Sequence, residues 1–198
     1  VTLRPLDAAD FGAWQEVRRR NHDWLVPWEP RRPSGSPDVV SDRGAFAARC
    51  TARLRDMRCG RGFGFGLFVD ECFAGEVNLN SIQRGPFQSA YVGYWIDERR
   101  AGCGYMPEAL VLVLRFAFSK LHLHRVQAAI VPRNAASLRV AEKLGFRNEG
   151  TALRYLEING VWEDHIRFAL TAEDWAERGQ ELVATWVNSQ PDNAAAQR

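Results

Sequence analysis

The run from Tyr91 to Val131 leaves this chain few folds to choose from. Tyr91-Val92-Gly93-Tyr94-Trp95-Ile96 is aromatic and β-branched, the make-up of a pleated strand. Arg99-Arg100-Ala101-Gly102-Cys103-Gly104 follows, and then Leu110, Val113, Leu114, Ala117, Phe118 and Leu121 recur at helical spacing from Tyr105 to Leu121, with Pro107 in the tolerated first turn. Arg125 to Val131 is a continuous apolar run of the kind buried on both faces of a sheet. Strand, glycine loop, helix and strand in that order imply a parallel pair with a right-handed crossover, the helix lying over one face.

The loop itself has a chemistry. Backbone N–H groups point outward there beside the positive end of the helix dipole, and two glycines remove side chains that would keep a phosphate away. Arg99 and Arg100 add charge, so the expected ligand carries a diphosphate. A dinucleotide fingerprint needs a third glycine where this chain has Pro107, and a nucleoside-triphosphate loop needs Gly-Lys-Ser/Thr, which never occurs. A tight turn with positive φ at Gly102 and Gly104 is the plainer reading of the same residues.

At 198 residues and 46% hydrophobic content the chain can bury one full core, and residues 1–187 are expected to form one domain followed by a disordered tail over 188–198. The formal charge of +2 argues against non-specific nucleic-acid binding. Cys50, Cys59, Cys72 and Cys103 show no C-x-x-C spacing, and no signal segment is evident, which predicts a reducing cytoplasm. No apolar run approaches the roughly 20 residues of a membrane span, so no membrane association is expected.

Taken in order, Thr2 to Leu6 reads as a strand, and Asp7 caps a helix with Phe11, Trp14 and Val17 inward. Asn21 to Pro37 reads as a long loop, rich in proline yet holding Trp24 and Trp28, the composition of a binding wall. Asp38 to Cys59 suits a helix with Phe46, Leu54 and Met57 inward and Arg43, Arg49, Arg53, Arg55 and Arg58 on a basic outer surface. Phe63 to Asp70, Cys72 to Ser81 and Ser89 to Ile96 then form an antiparallel meander. Asn134 opens a helix reaching Leu144, Gly150 to Ile158 and Val161 to Leu170 flank an Asn159-Gly160 hairpin turn, and Thr171 to Asp174 starts a last helix by the capping-box spacing.

Arg-x-x-Gly-x-Gly after a strand resembles the acyl-CoA loop of the GNAT superfamily of acetyl-CoA-dependent N-acetyltransferases, and the second half of the chain follows that superfamily's order through Asn134-Ala-Ala-Ser137, Leu144-Gly145-Phe146 and the closing hairpin. Within it, Pro27-Trp28-Glu29-Pro30, Leu121-His122-Leu123-His124-Arg125 and the stretches Gly145 to Gly150 and Gly160 to His165 most resemble the RimJ and RimL group of ribosomal-protein-alanine N-acetyltransferases. The resemblance covers Thr2 to about Arg178. It implies an α/β (α+β) fold with a mixed central sheet of about seven strands and flanking helices. Acetyl-CoA would be the donor, and a ribosomal-protein N-terminus or a small amine the acceptor.

The resemblance also implies a site. The cofactor would be held by Tyr94, Trp95 and Ile96 along the strand, by Arg99, Arg100, Ala101, Gly102, Cys103, Gly104 and Tyr105 in the loop, and by Asn134. A parallel pair that splays leaves unpaired amides, and one aimed at the thioester oxygen would stabilise the charge of a tetrahedral intermediate in direct transfer. The departing thiolate needs a proton. The tyrosine that supplies it in many members is replaced here by Ala141, so the resemblance passes the role to Ser137, whose hydroxyl can also serve merely at a helix start. No base transfers: the two familiar glutamate positions are Ala129 and Leu156, Ser89 to Ile96 contains no carboxylate, and Glu76, Glu157 and Asp164 read as surface or paired residues. Trp28 and Glu29 are expected to meet the acceptor between their loop and the Asn159-Gly160 hairpin, Glu29 taking the ammonium. His122 and His124 lack a third ligand, so no metal is expected. A small-amine acetyltransferase, or a silent acetyl-CoA-binding module on the same fold, are the competing functions.

Overall fold

The structure, a computed structural model, describes residues 1–31, 33 and 35–187. The expected tail, 188–198, lies outside the described residues. Seven strands form one sheet in the order β1-β2-β3-β4-β5-β7-β6: β1 Thr2–Arg4, β2 Phe63–Val69, β3 Cys72–Gln83, β4 Ser89–Ile96, β5 Arg125–Ile130, β6 Arg147–Ile158 and β7 Val161–Thr171. All neighbours are antiparallel except β4 and β5, which run parallel as their crossover demands.

Alternation along the strands separates two cores. Leu67 and Val69 of β2 belong to a large cluster under α4 (Tyr105–Ser119) and α6 (Ala172–Trp186), whereas Phe68 between them joins Phe73 in a smaller cluster. That second cluster holds Trp14 and Val17 of α1 (Phe11–Arg20), and Phe46 and Cys50 of α3 (Arg43–Arg58). Several helices begin where the sequence offers a cap. Asp7 starts a 3₁₀ turn ahead of α1, Asp42 caps α3, and Thr171 with Asp174 forms the expected box ahead of α6. Asn159 and Gly160 both adopt positive φ, +47° and +87°, as a primed hairpin turn requires.

Several boundaries differ from the sequence reading. The first strand ends at Arg4, β6 begins at Arg147, and α3 begins at Arg43 because Asp42 supplies the cap. Part of the supposed 21–37 loop is helical, as α2 (His22–Leu25) and a 3₁₀ turn over Val26–Trp28. The reason is tertiary: the Asn21 side chain donates to Asp97, and Trp24 Nε1 donates to the Ile96 carbonyl at 3.2 Å, pinning this segment to the end of β4. Leu54 and Met57 of α3 are only half-buried. Arg49 and Arg53 do not belong to the outer surface; both turn inward onto the fully buried Glu76 of β3, leaving Arg43, Arg55 and Arg58 outside.

Candidate active site

The parallel pairing of β4 with β5 is short. Ser89, Ala90 and Tyr91 are matched with Arg125, Val126 and Gln127, and there the pairing stops, although β4 continues to Ile96 and β5 to Ile130. On its other side β4 stays paired with β3 as far as Ile96. The two strands therefore part beyond Tyr91, and the β5-facing backbone groups of the far half of β4 have no strand partner.

A cleft of about 400 Å³ opens at this divergence. Tyr94, Trp95 and Ile96 line it from β4, Arg100 to Gly102 and Gly104 to Pro107 from the loop and the start of α4, and Asn134 to Ser137 with Arg139, Val140 and Lys143 from α5 (Ala135–Lys143). Trp24, Leu25, Trp28 and Glu29 close another side. Of the residues expected at the cofactor, Arg99 and Cys103 are the two not brought into this lining; both are exposed, the Cys103 thiol facing the Ala101 carbonyl.

Gly102 and Gly104 have φ of +78° and +87°, and Gly104 is the N-cap of α4 with no side chain capping the first turn. An added Cβ at Gly102 would meet nothing within 4 Å. The positive φ and the open approach thus hold together at this loop, which is the arrangement that exposes amides to an anion. Its entrance is braced by Asp97, 2% exposed, whose carboxylate takes Arg20 at 2.5 Å and Asn21 at 2.8 Å from the end of α1. Burial works to raise the Asp97 pKa, but the Arg20 and Asn21 hydrogen bonds win and hold it below the usual carboxylate range.

At α5, the Asn134 side chain caps the helix by accepting from the Ser137 amide at 3.1 Å, so Ser137 spends its N–H on the cap and not its hydroxyl. The Tyr94 hydroxyl donates to the Ser137 carbonyl at 3.3 Å. Burial pushes that phenol up to about 12, against a smaller opposing pull from Ser137, so Tyr94 stays protonated and acts as a spacer across the divergence.

The Trp28–Glu29 wall is fixed on both sides. Arg133 stacks over the Trp28 ring at 4.7 Å and donates to the Pro27 carbonyl, while the Glu29 carboxylate is gripped by both Arg18 Nη atoms at 2.6 and 2.7 Å. The Asn159 amide donates to the Glu29 carbonyl at 2.9 Å, so loop and hairpin touch directly and form one wall where the sequence suggested a gap between two. Trp24, read in the sequence with Trp28 as part of a binding wall, does line the cleft, whereas Arg139 and Lys143 were not singled out there. Arg139 and Lys143, four apart on α5, were readable as one basic face beside Ser137.

Other candidates resolve as paired groups. Glu157 lies 3.8 Å from Arg31, Asp164 accepts from the Arg154 amide, and His124 pairs with Glu173. Among the described residues no three His, Cys, Asp or Glu side chains converge where a metal would sit, and no helix is long and apolar enough to cross a membrane.

A mixed sheet parted at one parallel pair, with a glycine-bearing helix start set into the gap, defines an acyl-CoA-type transferase fold. Residues 1–147 match the family model described as acetyltransferase (GNAT) domain, and the chain belongs to that family of N-acetyltransferases. It is 36% identical over 176 residues to the Probable N-acetyltransferase YjcK of Bacillus subtilis, covering 88% of this chain and 95% of the relative. It is 35% identical over 174 residues to the [Ribosomal protein uS5]-alanine N-acetyltransferase of Escherichia coli, covering 84% and 86%. Among solved structures, Mycobacterium smegmatis RimJ in complex with CoA-disulfide superposes with a TM-score of 0.85 at 32% identity, covering 92% of this chain and 87% of that one.

Proposed function

We propose that residues 1–187 form a single catalytic domain that transfers the acetyl group of acetyl-CoA to the N-terminal alanine of a ribosomal protein. The observation that carries the acceptor assignment is the near full-length identity of 35% to an enzyme named for that reaction. The donor assignment is supported by the fit of the cleft: an open glycine loop at a helix start, cations at Arg100, Arg139 and Lys143 for phosphate groups, and a tapering gap between two strands for a long thin arm.

In this reading the loop amides from Ala101 to Tyr105 hold the pyrophosphate, and Asn134 fixes the start of α5 against it. The β5-facing amides of β4 beyond Tyr91, without strand partners, lie along the arm, and one of them takes the acetyl oxygen as it gains negative charge. Such a donor is positioned before the reaction and costs no reorganisation during it. Ser137 donates a proton to the departing sulfur, directly or through water. The acceptor's α-ammonium, ordinarily titrating near 7.7 to 8.0, meets the Glu29 carboxylate, which Arg18 holds in one orientation, and its first side chains pack on Trp24 and Trp28.

The test is turnover of acetyl-CoA against alanine-initiated peptides from the N-termini of small-subunit ribosomal proteins, beside free amino acids, polyamines and aminoglycosides. Mass spectrometry of ribosomal proteins from a deletion strain is the cellular counterpart. The expected result is preference for one ribosomal peptide and loss of its acetylation in the strain. Turnover of a polyamine or antibiotic with every ribosomal N-terminus unchanged means a small-amine enzyme.

A further inference from the structure

The face of the sheet opposite α4 carries a polar cluster at the point where β4 and β5 part. Along β4 this face presents Tyr91, Gly93 and Trp95 in alternation, and along β5 it presents Gln127 and Ala129. Tyr91 is the last residue of β4 matched to β5, so it stands at the closed end of the gap. Gly93 leaves the strand bare there: an added Cβ would meet nothing nearer than Asn80 Nδ2 at 3.8 Å. Across the gap Ala129 contributes only a methyl group. The cleft lining reaches Trp95 on this face, and an amine entering the divergence from here would pass between Trp95 and Tyr91.

The Tyr91 oxygen is set up to carry charge. Arg167 of β7 donates to it from Nη2 at 3.0 Å and from the same nitrogen to Gln127 Oε1 at 3.0 Å, and Gln127 in turn donates to Ser89 at 2.9 Å. The guanidinium lies over the Tyr155 ring at 4.5 Å and over the Tyr91 ring at 5.4 Å, which sets the two phenols on either side of one cation. The charged and titratable groups facing Tyr91 are thus Arg167 on β7, Tyr155 on β6 and, less closely, Arg125 on β5, itself paired with Glu149. Burial works to raise the Tyr91 pKa, but the Tyr155 and Arg167 hydrogen bonds and the two arginine charges outweigh it and hold the phenol below its ordinary value. Tyr155 moves the other way, raised by burial and by Tyr91, and of the two phenol oxygens it is that of Tyr91 that the Arg167 guanidinium meets.

Acetyl transfer needs a group to deprotonate the incoming ammonium, and neither strand offers a carboxylate at the gap. We propose that Tyr91, as a phenolate supported by Arg167 and Tyr155, takes the proton from the acceptor ammonium, directly or across one water. The proposal rests on acetyl transfer taking place at the β4–β5 divergence. Tyr91 first releases its own proton to solvent. An ammonium N–H then gives its proton to the phenolate oxygen, and the freed nitrogen lone pair forms the C–N bond to the acetyl carbon. The C–S bond breaks with its electron pair on sulfur, which takes the hydroxyl proton of Ser137, and the second proton of the nitrogen passes to the Ser137 oxygen, directly or through water, restoring the hydroxyl. Tyr91 then passes the ammonium proton to solvent and is again the phenolate for the next turnover, so after that first ionisation one proton is released for each amide formed. Tyr91 is then a catalytic residue, and Arg167 and Tyr155 are positioning residues that act through it.

The chain contains four tyrosines, Tyr91, Tyr94, Tyr105 and Tyr155, so ¹³Cζ-tyrosine labelling gives a spectrum in which Tyr91→Phe assigns its resonance by loss. Tyr91 is expected to titrate below about 10, and to move upward in Arg167→Met. With the faster of glycinamide and an alanine-initiated peptide as acceptor, Tyr91→Phe should lower kcat/KM by about 10²- to 10⁴-fold. CoA affinity by equilibrium dialysis and the thermal melt should stay as in wild type. Arg167→Met should shift the rise of kcat/KM to higher pH, Arg167→Lys should restore part of it, and Tyr155→Phe should have a smaller effect in the same direction. A Tyr91 that titrates at or above its ordinary value, or a Tyr91→Phe variant within about threefold of wild type, overturns the proposal. Failure of the wild-type chain to bind CoA strikes instead at the reading of the cleft.

Discussion

Glu76 offers the sharpest test of how the face beneath β4 is held. Its side chain is fully buried and accepts from Trp14 Nε1 at 2.7 Å, from Arg49 Nη2 at 2.6 and 2.9 Å, and from Arg53 Nη1 at 2.7 Å. In register it sits directly across from Trp95 of β4. Glu76→Gln keeps the shape and an acceptor for Trp14 but removes the charge that two arginines were brought inward to meet. Breaking a buried pair from one side costs about 3–5 kcal/mol. The Arg49 and Arg53 side chains retain 22% and 31% exposure, so water relieves part of their loss and the low end applies. A destabilisation of about 3 kcal/mol corresponds, at 2–4 °C per kcal/mol for a chain of this size, to a Tm drop of roughly 6–12 °C. The pH dependence is separable. Burial opposes the charge on Glu76, yet Arg49 and Arg53 prevail and its folded pKa is lowered. The stabilisation is therefore complete above the unfolded glutamate value of about 4.3 and is lost as pH falls through the folded value. Urea unfolding of both proteins from pH 7 downward should show a constant gap that narrows only below about pH 4. A gap under about 1 kcal/mol at pH 7, or one that persists unchanged into acid, would mean that the cluster is solvated and this reasoning fails.

Two substitutions probe the cleft. Gly102→Val places a β-branched side chain at φ +78°, a strain of about 1–3 kcal/mol, with no clash inside the fold; it should leave a folded protein whose CoA affinity by calorimetry drops sharply, and an unchanged affinity would remove the pyrophosphate from this loop. Ser137→Ala should lower kcat by about 10²- to 10⁴-fold with the acceptor KM unmoved, since a proton donor to the leaving thiolate acts in the transition state; an unaltered kcat, where single-turnover rates confirm that chemistry is limiting, would leave Ser137 as a helix-start residue alone.

How much of this was legible depends on the range over which each feature is determined. The path from β4 through Gly102 and Gly104 to α4 and β5 is written in neighbouring residues: strand composition, two positive-φ positions and one amphipathic helix. Sequence therefore located the glycine loop and the divergence correctly. Arg49 and Arg53 show the opposite case. Along α3 they are indistinguishable from Arg55 and Arg58, and only the arrival of Glu76 from β3, far along the chain, decides which arginines turn inward. The short α2 helix is hidden for a similar reason, because Asn21 and Trp24 gain their partners, Asp97 and the Ile96 carbonyl, only when β4 is in place. Glu29 carries this to the acceptor wall. A free carboxylate in a proline-rich loop would pay the full entropy of ordering itself around an incoming ammonium. Arg18 removes that cost by fixing both Glu29 oxygens, and the Asn159 amide fixes its carbonyl, so the wall stands in one geometry before any acceptor arrives. On the proposed acceptor reading, the selectivity of the cleft would be set by a helix and a hairpin that neither line the glycine loop nor lie near it in sequence.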